Sequence, residues 1–300
     1  MDVGLELSPG KTGVLCMAYG SPEGEAGIEA YYTHIRGGRR PSPESLTELT
    51  GRYRAIGGSP LSAITAAQAQ ALGARLGWPA FVGMKHAPPM IAAAAAAAAA
   101  AGVTRLVGLP MAPHYAGMSL GAYERTLREA WPGDLVFVRG FHLHPAFVES
   151  VRGLLRETLQ GFAADRVFFT AHSLPERITA EGDPYVDNLL TSCRLVAEGI
   201  DMPEWEFAFQ SRSTTGEPWL GPDLLEALGA SGSRRPLVCP IGFVADHLEI
   251  LYDIDIEAQG FAAGRGIELR RTPSFNTRPD FIDALAAVVS DAARERTPES

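Results

Sequence analysis

Apolar runs suited to strands alternate with helix-like segments along most of this chain, and that rhythm narrows the choice of fold more than any other feature. "GVLCMAY" precedes "GIEAYYTHI", "AFVGM" precedes an alanine run, "VTRLVGLP" precedes "SLGAYERTLREAW", and "DLVFVRG" precedes "AFVESVRGLLRETL". The second half repeats the pattern with "RVFFTAH", "EFAFQS", "PLVCPIGF" and "GIELRRTP". Strands that alternate with helices build βαβ units around a mainly parallel sheet, so an α/β fold is expected. Three hundred residues is ample for two lobes of about 150 residues each.

The two halves also resemble each other. "VLCMAYGSPE" (Val14 to Glu23) lies over "VFFTAHSLPE" (Val167 to Glu176) without a gap, which puts Tyr19 opposite His172. "VGLPMAPH" pairs with "LVCPIGFV", and "HPAFVESVRGLL" pairs with "RPDFIDALAAVV", in the same order. Three ordered matches imply a duplicated α/β unit: two lobes, residues 1–155 and 156–300, facing one cleft, with a C-terminal helix packing back on the first. Ligands of open parallel sheets sit beyond the carboxyl ends of strands, where Tyr19 and His172 would both project.

Composition excludes several classes. A net charge of −9 argues against a nucleic-acid partner, which needs a basic face. Cys16, Cys193 and Cys239 are far apart with no CxxC, which disfavours a local zinc or iron–sulfur motif and fits a reducing, cytoplasmic setting. The acidic start "MDVGLELSPGK" lacks the apolar run of a signal peptide. Ten alanines, Ala92 to Ala101, lie between Pro88-Pro89 and Gly102. Such punctuation marks a helix start and stop about 14 residues apart, a surface or sheet-packed helix too short to span a bilayer.

Two constellations carry chemistry. "ADHLEILYDIDIEA" holds Asp246, Glu249, Asp253, Asp255 and Glu257. On a regular helix the first, second, third and fifth of these fall within roughly 80° of one another. The run follows an apolar strand and its turn, which sets the first acids at the cleft mouth. A row of carboxylates there wants cations or protons, whereas a solvated acidic face is the plain reading. His172 ends a strand ahead of the Pro175 turn. Alone it reads as a hydrogen-bonded core residue, a cap neighbour, a general base or a metal ligand. Imidazole beside carboxylate suits a borderline ion such as Fe²⁺ and also proton abstraction near neutral pH. Against these acids stand Arg36, Arg39, Arg40, Arg52 and Arg54, whose guanidinium forks suit an anionic ligand or, for any one of them equally, a helix-surface salt-bridge network. Trp219 and Phe243 add aromatic area near the strand ends.

Together "MAYGSP", "YYTHIRGGRRP", "RYRAIGGSPL", "GMKHAPP", "MAPHYAGMS", "FTAHSLP", "FQSRSTTGEPWLGP", "CPIGFVADHLEILYDIDIEA" and "SFNTRPDFIDAL" resemble the ferrochelatases in order, from about residue 13 to 290. The resemblance implies two Rossmann-like lobes of the chelatase type and insertion of Fe²⁺ into a porphyrin. It places His172 and Glu249 on the metal-handling pair, Asp253 and Glu257 on a further acidic track, and Tyr19 across the macrocycle, axial to the product iron. The first lobe is most similar to the coproporphyrin III branch of Gram-positive-type bacteria. That likeness implies Arg36, Arg52, Tyr53, Ser59 and Tyr123, together with Tyr19, as substrate contacts. Gly37 stands where close relatives often carry a second basic residue, so Arg39 or Arg40 would substitute for it.

By the same resemblance the product is coproheme and no cofactor is needed beyond the substrate iron. No iron–sulfur cluster is expected, because the cysteines that bind one in some members are missing. A monomer in transient contact with coproporphyrinogen oxidase and coproheme decarboxylase is implied. The alternatives are a protoporphyrin IX ferrochelatase, a cobalt or nickel chelatase, and a non-catalytic haem carrier. The acidic row argues against the carrier.

Overall fold

The computed structural model describes residues 12–213 and 216–294. The acidic start read above, residues 1–11, lies outside them, as do 214–215 within "FQSRSTTGEPWLGP" and the last six residues. The first half contains β1 (Thr12–Ala18), α1 (Ile28–Ile35), α2 (Pro43–Ala55), α3 (Leu61–Leu76), β2 (Ala80–Met84), α4 (Ile91–Ala100), β3 (Arg105–Pro110), α5 (Leu120–Ala130), β4 (Asp134–Phe137) and α6 (Pro145–Gln160). The second contains β5 (Arg166–His172), α7 (Arg177–Ala180), α8 (Tyr185–Glu198), β6 (Trp205–Gln210), α9 (Leu224–Ala230), β7 (Pro236–Cys239), α10 (Leu248–Leu251), α11 (Gln259–Ala263), β8 (Arg270–Arg271) and α12 (Pro279–Arg294).

The strands form two parallel four-stranded sheets, ordered β2-β1-β3-β4 and β6-β5-β7-β8. The ladders repeat as well as the order. Val14 opposes Val107 in one sheet and Val167 opposes Leu237 in the other, the same residues that the sequence repeat lays over one another. Every residue of β1 is buried, as are Val167 to Ala171 of β5. Central parallel strands covered by helices on both faces read as continuous apolar runs rather than alternating ones. All eight runs marked in the sequence are strands, although the seventh stops at Cys239 and the eighth shrinks to Arg270–Arg271. Pro240 and Pro273 follow these two strands closely, and proline cannot donate to a ladder.

The alanine run forms α4, which lays Ile91, Ala94, Ala95 and Ala98 on the first sheet. A Cβ on Gly83 of β2 would meet Ile91 Cα at 2.9 Å, so two small surfaces bring helix and sheet close. Among the described residues no helix is long and apolar enough to cross a membrane. The C-terminal α12 packs on α3 and α6. One apolar core runs from Val14, Cys16 and Val107 through Phe147 and Phe281 to Val167 and Cys239. The buried Gln68 of α3 adds a polar tie, donating to the carbonyls of Val244 and Asn276 at 3.3 and 2.8 Å. Helix α6 runs across residue 155, where the sequence reading divides the chain.

Candidate active site

Both sheets change winding direction between their first and third strands, and in doubly wound sheets the crevice opens at that point. Tyr19 follows the end of β1 and is 41% exposed; His172 closes β5. Two glycines shape the loops here. Gly20 has φ +91° and lies against Ala87, a turn open to glycine at little steric cost. A Cβ on Gly242 would come within 2.6 Å of Ala171 Cβ, so the chain leaving β7 passes directly under the residue before His172.

That passage brings Glu249 to His172. Glu249 Oε1 lies 3.3 Å from His172 Nε2, both side chains about a third exposed. His172 Nδ1 makes a short hydrogen bond to the Ser173 carbonyl. That carbonyl can only accept, so Nδ1 carries a proton and Nε2 is left to face the carboxylate. Tyr185 OH donates to the His172 carbonyl at 3.0 Å, and Gln210 Nε2 donates to the Glu249 carbonyl at 2.8 Å. His247 Nε2 stands 3.4 Å from Glu249 Oε2.

The electrostatics follow from these contacts. Burial disfavours charge on His172, yet attraction and hydrogen bonding to Glu249, the Ser173 carbonyl and the charge of Asp253 outweigh it and raise the imidazole to about 9. Burial likewise opposes charge on Glu249, but His172 and His247 hold its carboxyl well below the usual range. The pair therefore rests as imidazolium and carboxylate at neutral pH. Asp253 moves the other way. Burial and repulsion by Glu249 push it up to about 6, against the pull of Ser211 and Arg52, with Glu257 adding to the rise. Tyr19 is pushed up by burial first and Glu249 second.

The acidic segment departs from the regular helix expected for it. Asp246 precedes the helix, and His247 is extended. Only Leu248–Leu251 is α-helical; Asp253–Ala258 is π-helical, with Glu257 N–H donating to the Tyr252 carbonyl at 2.9 Å. Asp246 thus leaves the face shared by the others. Short π segments are rare and occur often at functional sites. Asp253 is buried, accepts from Ser211 Oγ at 2.5 Å, and meets Arg52 Nη1 of the first lobe at 3.6 Å. Glu257 is exposed.

The first lobe supplies a different set. Arg52 holds Glu48 at 2.9 Å and lies 5.0 Å above the Tyr252 ring, so it already joins the lobes. Arg36, Arg39 and Arg40 are exposed. Ser59 Oγ accepts from the Leu61 N–H at 3.3 Å. Arg54 pairs with Glu25 at 2.5 Å, outside the cluster around Tyr19. Tyr53 and Tyr123 are buried, and Lys85 Nζ stands 5.6 and 5.9 Å from the Tyr123 and Tyr19 rings. His86 packs on Tyr19 with ring centres 4.5 Å apart, and its Nδ1 lies 2.9 Å from His34 Nδ1. Trp219 sits 6.4 Å from His172 and Phe243 4.8 Å from His247, ring centre to ring centre. Lys85, His86, His34, His247, Ser211 and Tyr252 carried no role in the sequence reading. Their signal was position, since Lys85 and His86 directly follow β2 and Ser211 follows β6.

Comparison with known proteins fits this arrangement. The sequence model of the ferrochelatase family matches residues 11–293. The chain belongs to the ferrochelatase family. Ferrochelatases are metal-chelatase enzymes that act on porphyrin and iron, and this member carries the histidine–carboxylate pair at the crevice of its second sheet. It is 41% identical to the ferrochelatase of Herpetosiphon aurantiacus over 300 residues, covering 93% of this chain and 98% of that protein. It is 40% identical to the coproporphyrin III ferrochelatase of Bacillus subtilis over 304 residues, covering 94% and 98%. In fold it is similar to the sirohydrochlorin chelatase SirB of Bacillus subtilis subspecies spizizenii, with a TM-score of 0.60 at 15% identity over 94% of this chain and 95% of that one. That likeness extends to the fold alone.

Proposed function

We propose that this ferrochelatase inserts Fe²⁺ into coproporphyrin III to give coproheme, with the macrocycle clamped in the cleft between lobes 1–155 and 156–300. The observation that carries the reading is the ion pair of His172 and Glu249 at the end of β5. In the proposed complex Tyr19 addresses the other face of the ring. Relatives named coproporphyrin III ferrochelatase, 37–40% identical, support the choice of porphyrin. So does the exposed Arg36, Arg39 and Arg40 rim, since coproporphyrin presents four propionates and protoporphyrin two. Arg36, Arg52, Tyr53, Ser59 and Tyr123 are the proposed propionate contacts. For Arg52 an incoming carboxylate would replace Glu48 or Asp253.

Insertion breaks two pyrrole N–H bonds, forms iron–nitrogen bonds and releases two protons. Clamping and bending the ring exposes the nitrogens. The Ser173 carbonyl keeps the Nε2 of His172 turned to the cleft, so the incoming iron or a pyrrole proton meets that atom after its resting proton has left. Glu249, ionised at rest, is the ready proton acceptor beside it, and the two titrate as one unit. Asp253, titrating near neutral pH, and the exposed Glu257 continue the route toward solvent as a relay for protons or metal.

The protein is proposed to act as a monomer in the cytoplasm, needing no cofactor and no iron–sulfur cluster. It would exchange substrate and product through transient contacts with coproporphyrinogen oxidase and coproheme decarboxylase. The test mixes purified protein anaerobically with Fe²⁺ and either porphyrin and follows absorbance on metallation. Coproporphyrin III is expected to turn over faster. Faster protoporphyrin IX turnover reverses the substrate assignment, and no gain over the protein-free control for either porphyrin overturns it altogether.

A further inference from the structure

Five carboxylates lie between Asp246 and Glu257, and a single arginine holds two of them. Arg271, the last residue of β8, donates from Nε and Nη2 to the two oxygens of Asp255 at 2.6 and 2.7 Å. The same Nη2 reaches Asp246 Oδ1 at 3.3 Å, and Nη1 donates to the Thr272 carbonyl at 3.1 Å. The Arg271 side chain is 15% exposed. Asp246 is fixed from other sides too: Ser274 Oγ and Asn276 Nδ2 donate to it at 2.7 and 2.8 Å, and its own N–H donates to Asn276 Oδ1 at 2.9 Å.

The placement has a direct geometric effect. Asp255 lies two residues after Asp253 and two before Glu257, all within the π segment. Side chains two apart on a helix point to nearly opposite faces. Drawing Asp255 outward to Arg271 therefore turns Asp253 and Glu257 the other way, toward the side where Arg52 and Ser211 meet Asp253. A bidentate fork defines orientation as well as distance, which a lysine cannot reproduce. The arginine also offsets one of the two negative charges that face away, and it pairs with neither Glu249, Asp253 nor Glu257.

We propose that Arg271 is the positioning residue of this row: its fork on Asp255 and its reach to Asp246 hold the π turn in the rotation that lines up Asp253 and Glu257 with Glu249 for ion delivery. The assignment rests on the reading of that row as the ion's route to His172. In the proposed complex Arg271 contacts neither substrate, so its loss is expected to act on metal uptake and to leave porphyrin binding alone.

The test compares wild type with Arg271→Gln, Arg271→Lys and the double variant Arg271→Gln/Asp255→Asn. Arg271→Gln is expected to raise the KM for Fe²⁺ about tenfold, the usual cost of removing an outer partner of a ligand, with porphyrin Kd and kcat little changed. Arg271→Lys restores charge without the fork and is expected to stay impaired. The double variant leaves no unpaired charge at the half-buried Asp255, so its Tm is expected to recover while the iron KM stays high. A purely structural role would bring Tm and KM back together, and that result overturns the proposal, as does an unchanged iron KM in Arg271→Gln. Calorimetric titration with Zn²⁺ in the absence of porphyrin gives a readout without turnover. A weaker Zn²⁺ affinity in Arg271→Gln supports the positioning role even if wild type metallates neither porphyrin, in which case only the insertion reading falls. Equal Zn²⁺ affinity in the two proteins overturns the positioning role.

Discussion

The two lobes share strand order, register and a residue-for-residue match at the ends of β1 and β5, yet they present opposite chemistry to the cleft. At the shared position one lobe has Tyr19 and the other His172. Tyr19 is flanked by Lys85 and His86 and, among the described residues, has no carboxylate partner at hydrogen-bond distance. His172 is flanked by Glu249, with Asp253 behind it. The offset that joins Val107 to Leu237 places Ser119 opposite Glu249 and Tyr123 opposite Asp253. One duplicated frame has thus become a basic, phenolic wall facing an acidic, imidazole one. In the proposed function the scaffold sets where side chains would meet the ligand, while the residues at those points would decide which wall handles the ion.

The sharpest way to break this contrast is to change the paired positions one at a time. His172→Ala is expected to lower insertion by about 10²–10⁴-fold, the range for losing a positioned acid–base group, while fluorescence quenching reports unchanged porphyrin binding. Tyr19→Phe is expected to keep insertion within about tenfold, the scale of one lost contact, but to alter the visible spectrum of the bound product iron. Equal losses in the two variants would mean that both walls handle the ion.

Removing the partner tests the electrostatics next. Glu249→Gln removes the main attractor of His172, leaving the Ser173 carbonyl and Asp253, so its imidazole should fall from about 9 toward its ordinary value, read by NMR titration. Insertion should drop about 10²-fold with it. For stability the sign follows from the raised imidazole. The pair's contribution is whole between the ordinary carboxylate and imidazole values, and it falls at more acid pH because Glu249 is held below its ordinary value. It fades as pH climbs through about 9, so wild type and variant should converge in Tm above that pH.

The smallest effect is expected at Asp253. Its folded value of about 6 lies above the ordinary 3.8, the reverse of a salt-bridged aspartate. Ionised Asp253 therefore costs stability above about pH 6, and the cost vanishes below the unfolded value. Asp253→Asn should stabilise by about 1–2 kcal/mol at pH 8, below the full cost at about 1.4 kcal/mol per pH unit because the Arg52 pair and Ser211 bond weaken. Thermal melts should show the gain at pH 8 and none near pH 3.5. A gain at both would place the origin in packing.

Local pattern determined much of this protein. The strand runs, the alanine helix, the repeat and the Tyr19–His172 match were legible because period, proline and glycine act within a few residues. His172 and Glu249 stood out through their places after strands. Other features depend on atoms distant in sequence, and only the tertiary structure decided them. A uniform helical wheel put Asp246 beside Glu249, whereas Arg271, Ser274 and Asn276 take it elsewhere and the next turns become π-helical. Arg52 was legible as a cation, but its contact with Asp253 exists only because α2 of one lobe faces the π segment of the other. The charge states of the pair likewise come from burial and from neighbours that the chain brings together only on folding.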